Sequence, residues 1–173
     1  MGRDKATMGD PPWAHRVADT LQRAGCDPVV LLGEPPVACT DLDRLRAGGW
    51  ELVEDRRAGA GPATALADYL ADTGADPASG QHRGLVFAAC DLPDLDPADV
   101  QQLMAVVAGS GGSAAHNLRG RAQLSLVALD HAEVARIAGY RVPAGLSLAE
   151  LIGQPLLVEP IDSTTVEDVD QPR

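Results

Sequence analysis

Aromatic residues are nearly absent from this chain: one Phe, two Tyr and two Trp make up 3% of 173 residues. Ala, Val and Leu must therefore build the core. Lysine is scarcer still, with Lys5 the single one. A net charge of −11 with no Lys/Arg cluster to offset it excludes sequence-general binding to a phosphate backbone. No apolar run approaches the roughly 18 residues needed to span a bilayer, so no membrane partner is expected. The three cysteines, Cys26, Cys39 and Cys90, form no C-x-x-C pair, and no secretory signal is recognisable. A reducing cytoplasm is the expected location. His15, His82, His116 and His131 lie at no zinc-ligand spacing. G-x-x-x-x-G-K-[ST], a complete G-x-G-x-x-G and G-x-S-x-G are all missing.

What is present reads as one globular α/β domain over residues 1–173, with 45% hydrophobic and 23% charged residues. A chain this long buries roughly 70% of its extended surface. Trp13, Val17, Leu21 and Ala24 form the stripe of an amphipathic helix over 11–24, which Gly25 ends. The apolar run 28–33 predicts a strand buried on both faces. Thr40 is placed to cap a short helix through Leu45, and 50–55 alternates as a strand nearer the sheet edge. Gly59-Ala60-Gly61-Pro62 turns the chain into a helix over 63–71, and 73–83 reads as a polar loop.

Residues 85–90 predict a second fully buried strand, followed by a helix capped by Asp96 with Pro97 at its first position. Strands near 114–117 and 123–129 predict an antiparallel hairpin added to the sheet. A capping box at Ser147–Glu150, an edge strand at 156–160 and an acidic tail complete the pattern. Alternating strands and helices indicate three α/β/α layers around a mostly parallel, Rossmann-like sheet.

Ligands of open α/β sheets sit outside the carboxyl ends of the strands. Asp55 and Asp91 both follow predicted strands, which places two carboxylates where a Mg²⁺-nucleotide would need hard oxygen ligands. An Asp after a strand is more often a loop starter or cap. Asp91 is the stronger candidate, because Asp96 already caps the helix that follows. Asp55 precedes a glycine pair that opens a helix, a place that favours anions.

M-G-R-D-K-A at 1–6, V-E-D-R-R-A-G-A-G-P at 53–62, A-C-D-L-P-D-L at 89–95, Gln123-Leu124 and D-V-D-Q-P at 168–172 occur in that order. Together they resemble the molybdenum cofactor guanylyltransferase (MobA-like) family, within the nucleotide-diphospho-sugar transferase fold, over nearly the whole chain. The opening six residues resemble only the second half of the family's glycine-rich nucleotide loop. The expectation is therefore an N-terminally incomplete domain lacking the first, central strand of the sheet. The strands at 28–33 and 85–90 would flank that gap, across roughly 9–10 Å or two interstrand spacings.

The resemblance implies Mg²⁺-dependent transfer of GMP from GTP to the terminal phosphate of molybdopterin, with release of pyrophosphate. Lys5 would contact the phosphates, Gly33 and Asp55 would hold the nucleotide, and Asp91 would bind nucleotide and metal. Asp168 and Asp170 would face the pterin. Molybdoenzymes or cofactor-insertion proteins are the implied macromolecular partners. The family's G-P-L-A-G is Gly61-Pro62-Ala63-Thr64-Ala65 here, and its Q-P-L is Gln123-Leu124-Ser125. Two competing expectations stand beside this one. The first is a cytidylyl- or guanylyltransferase acting on another phosphorylated small molecule. The second is a non-catalytic remnant or partner-binding paralogue.

Overall fold

Alternation along a single strand sets the layering. Within residues 121–130, Leu126 and Ala128 are buried on one side while Val127 and Leu129 are buried on the other. A strand apolar on both faces must be covered on both, and here helices do so. The computed structural model describes residues 5–33, 39–73, 84–143 and 145–161. Their elements are a 3-10 turn (Lys5–Thr7), α1 (Trp13–Ala24), β1 (Val30–Gly33), α2 (Cys39–Arg46), β2 (Glu51–Glu54), α3 (Pro62–Asp72), β3 (Gly84–Ala88), α4 (Pro97–Ser110), β4 (Ser113–Leu118), β5 (Arg121–Asp130), α5 (His131–Ala138), α6 (Leu148–Ile152) and β6 (Leu156–Val158).

Val17 and Leu21 of α1 pack with Leu103 and Val107 of α4 on the Leu126 side of β5. Leu66 and Leu70 of α3 join Val134 and Ile137 of α5 on the Val127 side, with α6 beneath them. The expected three layers are therefore present. Leu103, Leu126, Leu129 and Ile137 are at most 1% exposed, and burial of each contributes about 1.5–3 kcal/mol.

The sheet departs from the expectation. Among the described residues there are two sheets: β1 paired with β2 in parallel, and four strands in the order β3-β5-β4-β6. In the larger one β5 runs antiparallel to both neighbours, and β4 and β6 pair in parallel. The arrangement is mixed rather than mostly parallel. The hairpin is not an edge addition either, since its second strand lies in the middle, between β3 and β4. The physical reason is the two-residue Arg119-Gly120 connection, which forces β5 back alongside β4 and leaves its other edge open to β3. Because β3 and β4 both oppose β5, they point the same way as β6. Their carboxyl ends share one rim.

Smaller differences follow from capping. α2 begins at Cys39, one residue ahead of Thr40, so Thr40 lies inside the helix. α5 escaped the sequence pattern because its eight residues begin directly from β5 without a turn signal. The Asp130 side chain alone caps it, accepting from Glu133 N–H at 2.8 Å. Asp96 caps α4 as expected, through Ala98 N–H at 2.7 Å, and the Ser147–Glu150 capping box is formed. The predicted loop over 74–83 lies outside the described residues. Among the described residues, no helix is long and apolar enough to cross a membrane.

Candidate active site

The carboxyl ends of the strands carry most of the expected residues, as one pair at the end of β3 and one at the ends of β1 and β2. β3 ends at Ala88, and Ala89 N–H still bonds Ser125 O at 2.7 Å, so the turn that carries Asp91 leaves directly from the sheet. Two leucines fix that turn: Leu92 and Leu95 are 1% and 5% exposed and sit in the core beside Val17 and Leu21. α1 adds polar clamps, with Thr20 Oγ1 donating to Leu95 O at 3.2 Å and Arg16 Nη2 to Asp94 Oδ1 at 2.7 Å. Asp91 is thus held by packing on both sides of its own turn.

Lys5 meets it there. Its Nζ donates to Asp91 Oδ2 at 3.2 Å, with the lysine 38% and the aspartate 14% exposed. The 3-10 turn that presents Lys5 is tied down from α2, where Arg44 donates to Thr7 O at 3.2 Å and to Gly9 O at 2.7 Å. Asp91 Oδ1 is buried and accepts no hydrogen bond. A buried carboxylate oxygen with no donor is costly unless a cation or a ligand group completes it. That oxygen fits Mg²⁺, which takes one or two carboxylates and leaves its remaining positions to water and phosphate. Among the described residues no cluster of three or more His, Cys, Asp or Glu forms a fuller cage.

Gly33 and Asp55 lie together at the ends of β1 and β2, joined by a 3.2 Å bond from Asp55 N–H to Gly33 O. Asp55 Oδ1 is buried. The following loop is pinned to α3 by Arg57, which makes two bonds to Asp68, at 2.8 and 2.7 Å, and a third to Val142 O at 2.9 Å. The pairing holds the Asp68 carboxyl below its ordinary range, the Arg57 hydrogen bond being the main cause. Gly61, at φ 89°, turns the chain into α3, a conformation that a residue with a Cβ strains to adopt. Thr64, in the first turn of α3, is 1% exposed and its hydroxyl has no partner.

The structure therefore couples Lys5 with Asp91, and Gly33 with Asp55. Asp168 and Asp170 lie outside the described residues. Sequence reading missed the arginines that position these groups, Arg16, Arg44 and Arg57. Their partners are distant in the chain and follow no helical or strand period. It also passed over Arg119 and Arg121, which with Gln123 line a cleft of about 400 Å³ at the β4–β5 turn. Adjacent cations on a tight turn were the available signal.

The MobA-like NTP transferase domain matches residues 1–161, and no curated protein matches the chain. The chain belongs to the MobA-like NTP transferase family. A family match over nearly the whole length carries the reaction class with it, nucleotidyl transfer from an NTP. The α/β fold with mixed sheets agrees with a nucleotide-diphospho-sugar transferase-like architecture.

Proposed function

We propose that this nucleotidyltransferase moves GMP from GTP to the terminal phosphate of molybdopterin. The observation that carries the site assignment is the Lys5–Asp91 pair at the strand rim, with Asp91 Oδ1 buried and unbonded. The acceptor is proposed from the ordered motif resemblance alone. GTP rather than CTP is proposed from Asp4 directly before Lys5, which resembles the guanylyltransferases more than their cytidylyl relatives.

In the reaction, an oxygen of the acceptor phosphate attacks the α-phosphorus of the nucleotide. The α–β bridging bond breaks, and pyrophosphate leaves with that electron pair. The nucleophile is already an anion, so no protein base is required, and the described rim offers no catalytic triad. Catalysis then consists of placement and charge compensation. Lys5 supplies positive charge to the phosphates, and its turn, fixed by Arg44, sets where that charge sits. Asp91 would hold Mg²⁺, which when bound neutralises phosphate charge. Gly33 and Asp55 present backbone and carboxylate oxygens to the nucleoside portion, while Arg119 and Arg121 offer cationic groups for the acceptor phosphate.

Pyrophosphate release with molybdopterin and Mg²⁺ tests the reading. GTP should support release well above CTP. Preference for CTP would move the assignment to a cytidylyltransferase, and equal release without molybdopterin would remove that acceptor.

A further inference from the structure

A fully buried histidine sits where the pairing of β4 with β5 changes register. His116 is 0% exposed, and both of its ring nitrogens face backbone carbonyls on other elements. Nε2 lies 3.3 Å from Asp99 O in the first turn of α4, and Nδ1 lies 3.3 Å from Val158 O on β6. Whichever nitrogen carries the proton, it donates to a neighbouring element. Buried this completely, the ring can touch no substrate and must act through what it holds.

What it holds is a bulge. Ala115 pairs with Val127, yet the next residue, His116, pairs with Gln123, so Leu124, Ser125 and Leu126 have no partner on β4. The bulge changes which side the start of β5 presents. Leu126 packs on the α1/α4 side, and in an unbroken strand Gln123, an odd number of residues away, would face α3 and α5. Cross-strand partners share a face. Gln123 therefore takes the side of His116, which is the α4 side, and Arg121, opposite Leu118, takes it too. Leu92 and Leu95 seat the turn of Asp91 on that same side. Bulges of this kind re-aim side chains beside active sites.

The groups so turned line the cleft of about 400 Å³ at the β4–β5 turn. Arg119 (φ 54°) and Gly120 (φ 80°) form that turn, the arginine holding a conformation that usually falls to Asn or Gly. Because β3 and β4 point the same way, the turn lies at the rim where β3 ends and Asp91 follows.

We propose that His116 is a positioning residue for the acceptor. By pinning the bulge between Asp99 and Val158, it turns Arg121 and Gln123 to the side of Asp91, where the acceptor phosphate docks. The inference rests on the reading of Arg119 and Arg121 as the groups that meet that phosphate.

The test compares the parent chain with His116→Leu, which fills the space without either bond, and His116→Gln, whose amide keeps one of them, each alone and with Arg121→Ala. Initial rates should show KM for molybdopterin raised about tenfold in His116→Leu and severalfold in His116→Gln, with KM for GTP within about twofold of the parent. In the Arg121→Ala background neither change should raise it further, because the histidine acts through that arginine. Equal rises in both KM values, or effects that add to Arg121→Ala, would make His116 a core residue only and overturn the proposal. If His116→Leu does not fold, His116→Gln decides alone, and an unchanged KM for molybdopterin overturns it. Titration with inorganic phosphate, followed by NMR at the backbone amides of Gly120 and Arg121, separates this inference from the acceptor reading. A parent chain that binds phosphate there without turning over molybdopterin would fail the acceptor reading alone. Weaker phosphate binding in the His116 variants would then still support the histidine's role, and unchanged binding would overturn it. No phosphate response at the turn of the parent chain would overturn it outright.

Discussion

Lys5 and Asp91 lie 86 positions apart in the chain, and their ion pair occupies one carboxylate oxygen while the other is buried without a donor. The asymmetry gives Asp91 two separate tasks. Oδ2 anchors the lysine, and under the proposed function Oδ1 would be the oxygen that holds Mg²⁺. Loss of charge at this residue should therefore disturb both the phosphate-binding cation and the metal.

Asp91→Asn should leave the circular dichroism spectrum unchanged and lower pyrophosphate release by roughly a thousandfold, the scale of a lost metal carboxylate. An amide fills the same space but cannot neutralise a divalent cation. Asp96→Asn should be nearly silent, because Asn caps a helix as well as Asp. Near-normal turnover of the first variant, or damage from the second, would misplace the metal.

The caps and the order of elements were legible because each is a local matter. Asp96-Pro97, Ser147–Glu150 and the apolar runs at 28–33 and 85–90 declare themselves within a few residues. The full burial expected of 28–33 and 85–90 is not met. Val30–Gly33 and Leu85–Ala88 are only half-buried, because among the described residues β1 and β3 each pair along one edge alone. Strand order is not local. Nothing near Arg121–Asp130 reports that β5 lies between β3 and β4, because a strand buried on both faces reads alike in parallel and antiparallel company. The same limit hid Arg44 and Arg57, whose partners are carbonyls and a carboxylate on other elements. For the candidate site, the two acidic strand ends were readable, and the clamps that hold them were not.

Arg57→Ala should act on the nucleotide more than on the fold. Its pairing with Asp68 is half exposed and solvent screening leaves it little weight in stability, so the melting temperature should barely move. The loop after Asp55 loses three of its ties, however. A severalfold rise in KM for GTP with kcat nearly unchanged is the expected split, measured by initial rates. A fall in kcat alone would argue that the loop acts on the reacting phosphates instead.

Asp99 ties the chain beyond β6 to the body of the fold. It is fully buried, its Oδ1 accepts from Ile161 N–H at 2.9 Å, and it lies 3.9 Å from Nε2 of the equally buried His116. Asp99→Ala should lower stability by about 1–3 kcal/mol in denaturant titration, because it removes the acceptor of Ile161 N–H and leaves a space beside the buried imidazole of His116. Asp99→Asn keeps an oxygen for Ile161 and should lose less. Equal losses would show that charge, not the hydrogen bond, is what matters there.

Asp130 joins the start of α5 to the turn before β4, and its titration should be visible in stability. Oδ1 accepts from Glu133 N–H at 2.8 Å and Oδ2 from Gly112 N–H at 2.7 Å. Burial pushes its carboxyl up, but the backbone donors of Glu133, Gly112 and Ala132 outweigh this and leave it below the ordinary 3.8. A carboxyl depressed on folding contributes stability that is fully present above its unfolded value. That contribution is lost as pH falls through the folded one. Asp130→Ala should cost about 1–2 kcal/mol near neutral pH, the usual range for a lost N-cap. The difference from the parent chain should shrink below pH 3.8, where the parent's own carboxyl becomes protonated. Asp130→Asn should fall between the two, since an amide can cap Glu133 but turns a donor toward Gly112. Denaturant titrations of the three chains between neutral pH and acid supply the difference curves that check this. A difference independent of pH would mean that Asp130 caps α5 by shape alone, without its charge.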